Sequence, residues 1–89
     1  MNTAHFSHKR RRWTIEHRKE LRDDDGQRCV GITDMDKRQI LIDEDEIRDN
    51  RESTLIHEVL HVACPYLAEE TILEIEKVLF RAITAYKGI

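Results

Sequence analysis

The stretch Thr54-Leu55-Ile56-His57-Glu58-Val59-Leu60-His61-Val62-Ala63 decides how the rest of the chain is read. It contains His57-Glu58-x-x-His61, the H-E-x-x-H pattern. On an α-helix, residues four apart lie one turn above each other on one face. Two imidazoles placed this way reach one ion, and neutral imidazole is a good zinc ligand. Glu58 stands beside the first histidine, where it can take a proton from a metal-bound water. Leu55, Ile56, Val59 and Ala63 form an apolar stripe on this helix. At 100° per residue the two histidines point about 150–170° away from its centre, so the stripe can face a core while the histidines face something else. The helix is predicted over about residues 51–64, with Asn50 as N-cap and Pro65 as the stop.

Working back towards the N-terminus, the pattern changes from helical to alternating. Arg38 to Asp43 places Ile40 and Ile42 on one side and Leu41 on the other. Gln27 to Thr33 does the same with Val30 and Ile32. Both read as strands, joined by the polar loop Asp34-Met35-Asp36-Lys37. Trp13 and Ile15 mark a third short strand, and Asp23-Asp24-Asp25-Gly26 a turn. Residues 1–10 show no periodicity. Working forward, a second helix is expected from about Ala68 to Ala85, with Ile72, Ile75, Val78, Leu79, Ala82 and Ile83 on its core side. The expected fold is α+β: a small antiparallel sheet of about three strands packed on the H-E-x-x-H helix and a C-terminal helix. Its domain spans residues 12–89, behind a flexible basic arm over residues 1–11.

A catalytic zinc takes three protein ligands and keeps one position open. The third donor is expected just past Cys64-Pro65-Tyr66-Leu67, where Glu69 and Glu70 begin the second helix. Rotation favours Glu69, which lies nearer that helix's inner side; Glu70 is the alternative. Cys64 is a rival that shares a face with both histidines, but at i+7 it lies about 10 Å along the axis from His57, too far for one ion unless the helix breaks at Pro65. Tyr66 is near enough in sequence to serve a developing oxyanion.

The 89 residues hold 39% apolar and 37% charged side chains, a thin core that a bound metal would help to hold. No apolar run approaches the ~20 residues of a membrane span. The polar, basic start is not a secretory signal, and two cysteines make no disulfide framework, so a cytoplasmic setting is expected. Charge divides unevenly. Residues 1–22 carry seven Lys/Arg against two Glu, or +5, and residues 23–89 carry eight against sixteen, or −8, which sum to −3. The run Lys9-Arg10-Arg11-Arg12 reads either as a solvated arm or as a contact for nucleic acid or another acidic partner.

With a strand hairpin before His57-Glu58-Val59-Leu60-His61 and Leu67-Ala68-Glu69-Glu70-Thr71-Ile72 after it, the chain resembles the zincin metallopeptidases, in particular small zincin-like proteins of phages and prophages. The likeness covers roughly residues 27–84. It implies zinc on His57, His61 and one Glu of the 69–70 pair, with Glu58 as general base and a peptide or protein as substrate. The turn before the Glu pair is shorter than in large gluzincins, and no second lobe walls a cleft. Two further readings stand beside it: a non-catalytic, zinc-stabilised module that binds a host or phage protein, suggested by the small size and missing wall, and a nucleic-acid-associated protein using the basic run.

Overall fold

Strand pairing in the computed structural model, which describes residues 3–46 and 48–89, is set by two apolar ridges. Trp13 and Ile15 lie on β2 (Arg11–Arg18), and Ile40 and Ile42 on β4 (Gln39–Asp43). β-Branched and aromatic side chains at alternate positions put one face of each strand into a core. Trp13, Ile40, Ile42 and the helix residue Val62 form that core, with Phe6, Ile15, Leu55 and Val59 packed around it.

The fold is α+β, as expected; its sheet has four strands where about three were expected, and it is mixed where an antiparallel one was expected, because β2 and β4 run parallel. Its order is β1-β2-β4-β3, where β1 is Thr3–His8 and β3 is Gly31–Asp34. β1 pairs antiparallel with β2 through a tight turn at Lys9-Arg10. Residues 3–8, expected as part of a flexible arm, are therefore an edge strand; residues 1 and 2 lie outside the described ones. β2 and β4 are parallel, with Ile15 opposite Ile40. A parallel pair needs a long crossover, and residues 19–38 supply it, with β3 folded back antiparallel on β4 inside that connection. The expected strand over residues 27–33 is thus shorter and starts later. The residues before it form a loop in which Asp23 Oδ1 accepts from the amides of Asp25 and Gln27, and Gly26 takes φ +82°. Arg28 Nη2 reaches back to donate to Asp43 Oδ2 at 2.9 Å, and Leu21 is buried beneath the loop.

Helix α1 (Arg48–Ala63) crosses one face of the sheet, and α2 (Glu69–Lys87) packs on α1. Asn50, expected as the cap, lies inside the first turn of α1. Among the described residues of α1, Thr54, Glu58 and Val62 are buried, while Ala63 is exposed. The stripe read from sequence is therefore rotated. The helix has two neighbours, so its apolar residues are shared out: Leu55 and Val59 towards the sheet core, Ile56 towards Phe80 and Ile83 of α2.

α2 is firmly seated only at its start. Ile72 is fully buried and Ile75 half-buried, but Val78, Leu79, Ala82 and Ile83 are exposed, against the expectation that all six form a core side. The reason is the polar row that α2 turns to α1. Glu76 and Lys87 hydrogen-bond to Ser53 and Glu52 of α1 across the helix interface. No described helix is long and apolar enough to cross a membrane.

Candidate metal centre

The turn after α1 is short and held by its own backbone. The Leu67 amide donates to the Cys64 carbonyl, and the amides of Thr71 and Ile72 donate to that of Ala68. No side chain caps α2, but Glu69 and Glu70 in its first turn suit the positive end of the helix dipole. This geometry brings Glu69 over the histidine face of α1. Glu69 Oε1 lies 2.7 Å from His57 Nε2, and Oε2 lies 3.2 Å from His61 Nε2. The two Nε2 atoms are 3.2 Å apart. One donor atom from each residue falls within 4.8 Å of the others, and among the described residues these three form the group able to hold an ion. Glu70 is exposed beside them. Cys64, weighed as a rival ligand, is outside the group, as the axial distance along α1 requires.

Glu76 is the residue that sequence reasoning missed. Its Oε1 is 2.8 Å from His57 Nδ1, and its Oε2 accepts from Ser53 Oγ at 3.1 Å. Both His57 and Glu76 are only 15% exposed. A carboxylate against Nδ1 keeps the ring proton there, which leaves the Nε2 lone pair facing His61 and Glu69. Two ring nitrogens and a carboxylate oxygen converge there, a donor set able to hold a cation. Two imidazoles and a carboxylate with room beyond them match the donor set of a catalytic zinc. The signal for Glu76 was available. It lies seven residues after Glu69, two turns along the same face of α2.

Glu58 takes a different position from these three residues. It is 7% exposed and faces the sheet, where its Oε1 accepts from Thr33 Oγ1 at 2.8 Å. Gly31 makes this possible. A Cβ on Gly31 would lie 2.6 Å from Thr54 Cγ2 and 3.1 Å from both Cγ and Oε2 of Glu58. Only a glycine lets α1 approach β3 so closely. An open cleft of about 570 Å³ runs between them, with Gly31, Thr33 and Met35 on one wall and His57, Glu58 and His61 on the other. The sheet edge beside the cleft is β3. β4 is interior, because β2 and β3 flank it. Tyr66, expected near a developing oxyanion, is 81% exposed and is not part of the cleft wall.

Both cysteines are free. Burial pushes the Cys29 thiol up, and the neighbouring carboxylates of Asp23, Asp43 and Glu58 push it the same way. It is therefore a poor nucleophile at neutral pH. Comparison of the chain with protein-family models, curated proteins and solved structures finds no match.

Proposed function

We propose that this chain is a small zinc-dependent, zincin-like metallopeptidase. The observation that carries the reading is the convergence of His57 Nε2, His61 Nε2 and a Glu69 carboxylate oxygen, with the outer nitrogen of His57 held by Glu76. Zinc bound there would supply Lewis acidity and a water ionised near neutral pH. The chain's own groups do the rest. Glu58, adjacent to the ligands but not among them, accepts the proton of the attacking water and passes it to the leaving amine as the C–N bond breaks. The Thr33 hydroxyl fixes the Glu58 carboxylate towards the cleft. The outer edge of β3 offers free backbone groups along which an extended peptide can pair.

A second reading draws support from the same geometry. The three donors join α1 to α2, and beyond Ile72 the second helix buries little. A metal held there would act as a staple for a thin core, as in a non-catalytic module that binds another protein. Glu58→Gln separates the two. It keeps the size of the side chain but cannot take a proton at neutral pH. As a peptidase, the variant retains zinc and loses cleavage of a mixed peptide library by ~10²-fold or more. A parent that holds zinc and cleaves nothing favours the staple. A variant that loses its zinc makes Glu58 a ligand and removes the proposed division of roles.

A further inference from the structure

The run Lys9-Arg10-Arg11-Arg12 takes no part in the site above, and the fold gives it a definite place. It forms the tip of the β1–β2 hairpin. Pairing of β2 with β4 begins only at Thr14, whereas Phe6–Trp13, Ser7–Arg12 and His8–Arg11 pair without β4 alongside. The hairpin thus projects past the end of β4 by those pairs and the turn, about 13 Å at ~3.3 Å per residue. Its root is anchored. Phe6 and Trp13 stack with ring centroids 6.1 Å apart, and Trp13 is buried in the core.

The four cations are exposed, and among the described residues none of them makes an ion pair. Net charge is −3, so the chain without these four carries −3 − 4 = −7. A polyanion is repelled by the body and drawn to the tip, which orients the encounter. The turn itself is costly for these residues. Lys9 has φ 52° and Arg10 φ 63°, both left-handed, as a two-residue type I′ turn demands. Asn-Gly fills such a turn with least strain, yet the chain carries Lys-Arg there.

We propose that this hairpin is a DNA-binding ribbon that enters the major groove of duplex DNA and sets its cations against the phosphates. Alternation is the argument for a groove over a flat acidic surface. Arg11 and Arg12 are consecutive in β2 and so point to opposite faces of the ribbon, with Lys9 and Arg10 at its end. A groove offers phosphates on both walls, whereas an acidic protein surface meets one face. A two-stranded ribbon also fits the ~12 Å width of the B-DNA major groove.

The test is fluorescence anisotropy of the whole chain on a labelled mixed-sequence DNA duplex, repeated over a series of salt concentrations. Four phosphate contacts give a slope of log K against log salt of about −3.6. Lys9→Asn with Arg10→Gly keeps the turn, raises the melting temperature by removing strain, and brings the slope to about −1.8. Arg11→Gln with Arg12→Gln removes the same charge without touching the turn and gives the same slope. Any of three results overturns the proposal: no binding at low salt, an unchanged slope in both folded double variants, or equal binding of polyglutamate or single-stranded DNA.

Discussion

Replacing Gly31 with alanine tests the close approach on which the cleft depends. The new methyl carbon would stand 2.6 Å from Thr54 Cγ2 and 3.1 Å from Glu58 Cγ. Carbon atoms in contact sit about 3.5–4.0 Å apart, so the first contact is short by roughly 1 Å. Thr54 is buried on α1, and a β-branched side chain in a helix has little rotamer freedom to withdraw. Either α1 lifts from β3 or the strand bends, and overpacking of this kind costs about 1–3 kcal/mol. In a domain this small, that lowers the melting temperature by about 5–20 °C. Thr54→Ser removes the offending Cγ2 at a cost of about 1 kcal/mol for the lost methyl. In the Thr54→Ser background, the next contacts that Gly31→Ala meets are Glu58 Cγ and Oε2 at 3.1 Å, which a side chain can relieve by small shifts. The double variant is therefore expected to be about 1–2 kcal/mol more stable than the sum of the singles implies. Urea unfolding followed by far-UV circular dichroism on the parent, both singles and the double closes the cycle. If Gly31→Ala costs the same in both backgrounds, or costs nothing, the packing of Thr54 against Gly31 is not what seats the helix.

Three further expectations rest on the site and its surroundings. Glu76→Gln, which keeps the shape but weakens the hold on His57 Nδ1, lowers zinc affinity about 10–100-fold with the fold intact, measured by chelator competition; unchanged affinity would make Glu76 a helix-packing residue only. Glu69→Ala weakens zinc more than Glu70→Ala in the same assay, and the reverse ranking would transfer the ligand to Glu70. The hydrogen bond and charge of Arg28 hold the Asp43 carboxyl below its ordinary 3.8, so the stability it contributes is present above that value and is lost as pH falls through the lowered pKa. Parent and Arg28→Met should accordingly differ in melting temperature at pH 7 and converge in strong acid, and a gap that stays constant with pH would assign the effect of Arg28 to packing of its stem.

Local sequence carried the helix that bears His57 and His61, since a four-residue spacing is meaningful only at the helical period. It also carried the preference for Glu69, because rotation along a helix is a local property. Alternation at Ile40 and Ile42 was enough to make residues 39–43 a strand, and Asp23 to Gly26 was enough for a turn. What those elements met was settled in three dimensions. Which strands pair, and in which direction, depends on partners distant in the chain, so the parallel β2–β4 pair and the edge position of β3 left no local mark. β1 has almost no apolar alternation of its own, and it is a strand because β2 offers it a ladder. The burial of Glu58 required Gly31 on another element to make room for it. Glu76 lay in plain view on the Glu69 face, but a carboxylate becomes a histidine's partner only when two helices cross at the right height. Distances between elements are set by packing, and packing is a property of the whole chain.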